Sequence, residues 1–175
     1  MQFQNQEESK GLGSDYIYID KSPHGSGIFT RKNIKKGELI FSFTGNFISF
    51  SDCVALGPGE AYTIQVDTIR YLQPLSPGRY INHSCDPNCG ITGELYLVAL
   101  KGIDACKELT FDYSTTMLER YWEMDCGCGS ENCRSKIMDF DTLPANRQAY
   151  YINHGVVQPF ILEWMEKRGK HSMEN

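Results

Sequence analysis

Three cysteines lie within a short stretch near the C-terminal end of the chain, at Cys126, Cys128 and Cys133. The spacing C-x-C-x4-C sets three thiolates close enough to bind one zinc ion, which has four ligands in structural sites. The fourth ligand must then come from a distant part of the sequence. The candidates for it are Cys53, Cys85, Cys89 and the four histidines. The alternative is a group of free cysteines in a glycine-rich turn.

The composition indicates one globular domain. With 175 residues and 41% hydrophobic side chains, the chain can form one ordinary core. An odd number of cysteines, seven, argues against a secreted disulfide framework and favours a reducing compartment. The first ten residues carry charges and amides where a signal peptide needs an apolar run, and no stretch has the roughly 20 apolar residues of a membrane span. We therefore expect a soluble, intracellular protein without membrane contact; nothing separates nucleus from cytoplasm.

The formal charge of -5 argues against a nucleic-acid partner and favours a basic protein. Direct nucleic-acid binding requires a basic face, because the phosphates must be neutralised. An acidic surface suits a basic protein partner better. The sequence does not indicate an oligomeric state.

Alternation of apolar and polar residues predicts short strands at 15–19, 38–43, 94–99 and 108–113, and Gly and Pro predict loops at 51–59 and 74–78. From Leu143 onward the apolar spacing predicts helices that begin near Pro144 and are interrupted near His154 and Gly155. Residues 1–13 and 169–175 have the composition of flexible ends.

Two further stretches carry groups that orient ligands. The run from Arg79 to Cys89 contains Asn82, His83 and Cys85. A thiol nucleophile is a poor explanation for it, because a base must face its nucleophile across a site and no oxyanion-hole signature accompanies the pair. The loop His24-Gly-Ser-Gly-Ile-Phe-Thr allows close backbone approach to a ligand, but it lacks the lysine of a phosphate loop and the spacing of a dinucleotide loop.

In this order, the stretches at 24–30, 36–45, 79–89 and 108–113 and the final cysteine cluster resemble the SET domain of protein lysine methyltransferases. The resemblance covers residues 15 to 135. It implies a mainly β fold of small, curved, β-clip-like sheets in which the segments around Asn82 and Tyr113 form a pseudoknot. We expect a flexible N-terminus at 1–13, the SET domain at 14–115, a post-SET zinc segment at 116–136 and a C-terminal helical extension at 137–175.

The resemblance also implies the site. Tyr113 matches the catalytic tyrosine, although a strand aromatic that fills the core is the alternative. Phe111 matches a position that controls product number, where Phe leaves room for di- or trimethylation. Cys85 would complete the zinc site with Cys126, Cys128 and Cys133. S-adenosylmethionine would bind at His24, Gly25, Ser26, Gly27, Tyr62, Arg79, Asn82 and His83.

One departure from the family pattern concerns the lysine channel. Phe43 stands where a channel tyrosine is common, and Ser42 replaces a frequent glutamate. The lost hydroxyl lowers activity, shifts the product number, or is replaced by Tyr80 or Tyr96; we assign Tyr80 to the catalytic set.

The expected substrate is a lysine-containing basic protein, with histones as the default by family. By resemblance the peptide lies along an edge strand, and the variable segment at 47–62 selects its sequence. Two other functions stay open: a catalytically weak or silent SET-like module that binds a peptide, and a zinc-stabilised interaction domain without cofactor.

Overall fold

A computed structural model describes residues 15–171 of the chain. Its strands are β1 (Ile17–Ser22), β2 (Gly25–Thr30), β3 (Leu39–Ser42), β4 (Gly45–Ser49), β5 (Ile64–Gln65), β6 (Arg70–Pro74), β7 (Asn82–His83), β8 (Cys89–Ile91), β9 (Tyr96–Ala99), β10 (Glu108–Phe111), β11 (Met124–Asp125) and β12 (Lys136–Ile137). Its helices are α1 (Phe50–Ala55), α2 (Ala145–Asn153) and α3 (Pro159–His171). In the described part of the chain, no helix has the length and apolar character needed to cross a membrane.

The four predicted strands are confirmed as β1, β3, β9 and β10. The last of them ends earlier than predicted, at Phe111. It ends there because the Asp112 side chain accepts a hydrogen bond from the Ser114 N–H, which begins a 3₁₀ turn from Tyr113 to Thr116.

The loop prediction for 51–59 is wrong, because this segment contains all but the first residue of α1 and the first half of a second 3₁₀ turn, Gly57–Tyr62. A capping box begins the helix: the Ser49 hydroxyl accepts from the Asp52 N–H, and the Asp52 carboxylate accepts from the Ser49 N–H. The loop predicted at 74–78 is confirmed between β6 and a 3₁₀ turn at Gly78–Tyr80.

Small sheets surround the main core. Their strand orders are β1-β2-β10-β7, β3-β9-β8, β4-β6-β5 and β11-β12. Strand β10 pairs antiparallel with β2 and parallel with β7, so that Thr110 faces Asn82 and Phe111 faces His83. The chain segments at 82–83 and 110–111 therefore lie side by side, as the resemblance implied.

The predicted C-terminal helices are confirmed as α2 and α3. Gly155 separates them with a φ of 67°, which a residue with a side chain rarely adopts. The helices pack on a second core, which comprises Leu100, Phe140, Leu143, Tyr151, Val156, Val157, Phe160 and Ile161. Helix α3 continues past Gly169 to His171. The flexible end predicted at 1–13, and residues 172–175 of the other, lie outside the described residues.

Candidate active site and metal centre

A cavity of about 630 Å³, including its open mouth, lies beside the crossing of β7 and β10. Tyr113 and Phe111 line it, together with Tyr62 and Arg79 from the predicted cofactor set. The rest of its wall includes Phe50, Ile64, Gln65, Tyr71, Ile81, Thr116, Met117, Glu119, Tyr121 and Trp122. Most of this surface is aromatic or aliphatic, so the cavity suits an apolar chain with a polar end.

Tyr113 is held in place within this wall. Its hydroxyl donates to the carbonyl oxygen of Ile81 at 2.8 Å. Its ring contacts Phe111, with centroids 4.8 Å apart, and His83, at 5.2 Å. Burial raises the pKa of the Tyr113 hydroxyl, and the proximity of Tyr62 raises it further. The hydroxyl therefore stays protonated at neutral pH and can act as a fixed dipole.

The glycine loop packs against Asn82 and Glu108. Asn82 Nδ2 donates to the Ser26 carbonyl oxygen at 3.1 Å and to Glu108 Oε1 at 2.6 Å. The other Glu108 oxygen accepts from the Ser22 hydroxyl at 3.0 Å. A Cβ atom at Gly27 would overlap the Glu108 carboxylate, so a larger residue here would displace that side chain from its bond with Asn82. The loop thus leaves exposed backbone beside a carboxylate and an amide.

His24 and Arg79 are two further residues of the predicted cofactor set. Arg79 lies over the ring of the half-exposed Tyr62, with its guanidinium carbon 5.3 Å from the centroid. His24 is close enough to His83 to contribute to the lowered pKa of that imidazole. Burial is the main cause of this shift and brings the pKa of His83 to about 4, so the ring is neutral at pH 7.

His83 was expected beside the cofactor, but its side chain is buried next to the cysteine cluster. Its Nδ1 accepts from the Tyr113 N–H at 3.2 Å, and its Nε2 lies 3.3 Å from Cys85 Sγ. Because Nδ1 is an acceptor in a neutral ring, the proton is on Nε2, which therefore donates to the sulfur. In this tautomer His83 donates to Cys85 Sγ and has no lone pair on Nε2 for a metal.

Cys85, Cys126 and Cys128 converge with His83, and their ligand atoms all lie within 4.8 Å of one another. The Sγ atoms of Cys85 and Cys126 are 3.9 Å apart, close to the roughly 3.8 Å expected between sulfurs bound to one tetrahedral zinc. The Arg134 N–H points at Cys85 Sγ, at 3.4 Å. This donor set fits a structural zinc ion.

Protonation differs among the cluster cysteines: burial raises the pKa of the Cys85 thiol to about 11 and also raises the pKa of Cys126, so a metal would have to displace the protons of both. Burial raises the pKa of the Cys128 thiol, but hydrogen bonds with the Ser130 side chain and from the Cys85 N–H outweigh it and bring the pKa down to about 6. The thiolate is therefore available at neutral pH. Cys133, the other predicted ligand, lies alongside, with its Sγ 3.3 Å from the Cys126 carbonyl oxygen, and is not in the convergent set.

A buried carboxylate joins the cysteine segment to both cores. Asp112 accepts from Arg134 Nη1 at 2.8 Å and Nη2 at 2.7 Å, and from the Tyr151 hydroxyl at 2.9 Å. Arg134 follows Cys133 directly, and Tyr151 lies on α2. The C-terminal helices therefore help to fix the segment that carries the cysteines.

The structure does not bring Tyr80 to the cavity. Its ring packs against the main core and beside the Arg79 guanidinium, 5.6 Å from its centroid. Phe43 is also in the core, where its ring contacts Phe41 and leaves no room for a Cβ at Gly78. Tyr96 is exposed on β9. None of the three lines the cavity that Tyr113 lines.

Sequence reasoning missed the residues on the opposite wall. Tyr71 donates a hydrogen bond to Glu119, and Trp122 lies with its ring centroid 6.4 Å from that of Tyr113. A signal for them was present, since Glu119, Tyr121 and Trp122 form a dense polar and aromatic stretch between Tyr113 and the cysteines. Cys106, which lies outside the cysteine cluster, is exposed.

Comparison with known families decides the relationship. The sequence model of the SET-domain family matches residues 25–114, which is half of the chain. This chain belongs to the SET-domain family. The SET match includes the glycine loop, the cavity residue Tyr113 and the β7–β10 crossing, and it ends before the cysteine cluster.

SET-domain relatives give the same answer. The chain is 31% identical over 130 residues to human histone-lysine N-methyltransferase 2B, covering 63% of this chain and 5% of that protein. It is 32% identical over 147 residues to mouse histone-lysine N-methyltransferase NSD3, covering 74% and 10%. The chain thus spans a small fraction of the relatives it matches. The methyltransferase domain of human SETMAR superposes with a TM-score of 0.57 at 23% identity, covering 70% of this chain and 58% of that domain, which confirms the SET fold.

Proposed function

We propose that this chain is an S-adenosylmethionine-dependent protein lysine methyltransferase that acts on a histone or another basic protein. The observation that carries the proposal is Tyr113, whose protonated hydroxyl is anchored to Ile81 in the wall of an aromatic cavity. A hydroxyl dipole fixed in this way can orient a lysine amine without itself reacting.

The glycine loop supports cofactor binding on a surface that is not part of the cavity lining. S-adenosylmethionine would supply a methyl group on a positively charged sulfonium. Gly25 and Ser26 expose backbone for hydrogen bonding, and Asn82 and Glu108 hold that backbone in register. The Glu108 carboxylate is also a negative group suited to a cationic ligand nearby.

Zinc would be held by Cys85, Cys126 and Cys128, with Cys133 as the fourth ligand. His83 is the other residue close enough, but its Nδ1 accepts from Tyr113, which leaves the ring proton on Nε2. A rotation of Cys133 away from the Cys126 carbonyl would then complete a closed, structural site. The zinc segment would be a support for the cavity and not part of the reaction.

The target lysine must be neutral when it attacks. A free lysine has a pKa of about 10.4, and an apolar cavity favours the neutral amine by desolvation. Phe111, on the same wall as Tyr113, adds no hydroxyl that would retain a water next to the amine. We therefore propose that two or three methyl groups are added.

A basic protein substrate is supported by charge and by an open strand. The net charge is -5, and β4 is an edge strand of its sheet, with Phe47 exposed. An extended peptide can pair with such an edge. The seven cysteines, all within the described residues, form no disulfide, which agrees with a reducing, intracellular location.

The test is incubation of the purified protein with labelled S-adenosylmethionine, core histones and a mixture of other basic proteins, followed by mass spectrometry. We expect label on lysine, and loss of that label in a Tyr113→Phe control that still binds the cofactor. Cofactor binding without transfer to any protein would favour the silent peptide-binding module, and no cofactor binding would favour the zinc-stabilised interaction domain.

A further inference from the structure

Glu119 is a half-buried carboxylate in the wall of the cavity that Tyr113 also lines. One of its oxygens accepts a hydrogen bond from the buried Tyr71 hydroxyl. The backbone N–H of Trp122 also donates to the carboxylate. These two donors fix the position of the charge. A fixed, partly desolvated carboxylate interacts with a cation more strongly than one in open water does.

Within residues 15–171, no cationic side chain pairs with this carboxylate. Among the described residues, Glu119 forms no ion pair within 4.0 Å, although an unpaired charge in a partly buried site is costly. The neighbouring Arg120 turns outward to Asp139 and Asp141, and Arg79 is held over Tyr62. Glu119 therefore lines the cavity without an ion-pair partner in the described part of the chain; burial raises the pKa of its carboxyl, and the hydrogen bonds from Tyr71 and Trp122 act against that shift.

The walls around Glu119 suit a cation with an aliphatic stem. Tyr71, Tyr121 and Trp122 lie near it in the same wall, and Tyr113 and Phe111 complete the lining. Aromatic faces attract ammonium groups, and they also bury methylene groups. A phosphate or carboxylate placed beside Glu119 would meet a repulsive charge, and the Arg79 guanidinium, which also lines the cavity, is held over Tyr62. The chemistry matches a lysine side chain, in its ammonium or methylated form.

We propose that Glu119 is a specificity-determining residue, which selects a positively charged lysine side chain for the cavity. This inference rests on the proposed function, since it assigns a residue to the binding of that substrate. The nitrogen is positive in the entering ammonium and again in the methylated product. The contact with Glu119 thus contributes to binding of the entering ammonium and of the methylated product, but not of the neutral amine that attacks, so its loss raises KM.

The test separates the charge of the ligand from its shape. The probes are n-butylammonium, which reproduces the lysine side chain, and n-butanol, which has a similar length without charge. Binding is followed by the indole N–H resonance of Trp122, with Trp164 outside the cavity as internal reference. We expect n-butylammonium to bind the Glu119→Gln variant about 10-fold more weakly than the unmodified protein, and n-butanol to bind both equally.

Two further variants control for structural effects. Glu123→Gln removes a carboxylate that is exposed and paired with Lys136, and it should leave both affinities unchanged. Tyr71→Phe keeps the Glu119 carboxylate and removes its hydrogen-bond donor, so preference for the ammonium should persist. Equal weakening of both probes by Glu119→Gln would mean that the residue acts only on structure. That result, an unchanged n-butylammonium affinity, or no saturable shift in the unmodified protein would each overturn the proposal.

These measurements involve neither cofactor nor methyl transfer, so they fail independently of the proposed function. Transfer by the unmodified protein together with no effect of Glu119 would overturn this inference alone. Charge-selective binding without transfer would leave Glu119 as the selecting residue of a cavity that does not catalyse.

Discussion

Arg134 binds both oxygens of Asp112, at 2.8 and 2.7 Å, and thereby fixes the residue after Cys133 to the end of β10. The carboxylate has no solvent exposure, and its remaining partners are the Tyr151 hydroxyl and the Ser114 N–H. Removal of the guanidinium leaves a buried charge with neutral partners only.

We expect Arg134→Met to lower the free energy of unfolding by about 3 kcal/mol, because breaking a buried ion pair strands its partner. Urea denaturation measures this change in the free energy of unfolding. Lys136→Met is the matched control, since Lys136 pairs with Glu123 at the surface, and it should have no measurable effect. Equal stability of the two variants would contradict the structural role of the Asp112 pair.

Tyr113→Phe should reduce methyl transfer about 100-fold, because it removes one fixed hydroxyl from the reacting region. Stability should fall by only about 1 kcal/mol, the usual contribution of one hydrogen bond. Single-turnover kinetics and thermal unfolding measure the two effects separately. If the variant kept full activity, the role of the Tyr113 hydroxyl would be limited to its hydrogen bond with the Ile81 carbonyl oxygen.

Phe111→Tyr tests product number. The ring of Phe111 contacts Tyr113 and is 3% exposed in the cavity wall, so an added hydroxyl would fall close to the reacting amine. We expect the unmodified protein to give di- or trimethyllysine and the variant to stop at one methyl group. Mass spectrometry of saturated reactions is the measurement, and a single added methyl from the unmodified protein would refute the assignment.

Zinc removal should act on the cysteine segment and on activity together. A strong chelator should expose the segment from β11 to β12 to proteolysis and suppress methyl transfer, because a structural site contributes directly to folding. Metal analysis should find one zinc per chain, and Cys133→Ser should lose it. Cys106→Ser should retain it, because Cys106 is exposed and outside the cluster. Full zinc content in Cys133→Ser would instead favour His83 as the fourth ligand.

Gly90→Ala tests the attachment of the C-terminal helices. A Cβ at Gly90 would lie 2.6 Å from the side chain of Val156, which is fully buried between α2 and α3. We expect a loss of about 1 to 3 kcal/mol in unfolding free energy from overpacking. Gly102→Ala, where the added Cβ meets open space, is the control. Similar stability of both variants would mean that this packing contact is not rigid.

Sequence patterns predicted the elements that depend on local periodicity. Strands β1, β3, β9 and β10 and the break at Gly155 follow from alternation and glycine punctuation. The six-residue helix α1 was missed because its signal is a capping box, Ser49 with Asp52, within a segment rich in Gly and Pro. The apolar face of this helix is too short to be recognised from the spacing of hydrophobic residues.

Contacts between distant residues could not be predicted in the same way. The bond from Tyr71 to Glu119 joins positions 48 apart, and the bond from Tyr151 to Asp112 joins positions 39 apart. The burial of His83 depends on the cysteine segment folding over it. These features arise from packing, and single-residue patterns carry no information about it.

The bond between Tyr151 and Asp112 has a consequence for the nascent chain. Ribosomes add about 5 to 20 residues per second, so Tyr151 is made roughly 2 to 8 s after Asp112. Until Arg134 has been made, Asp112 has neither that residue nor Tyr151 as a partner, and its carboxylate stays in water. The sheets of the first half can associate earlier, but the set of partners around Asp112 is complete only after α2 has been translated.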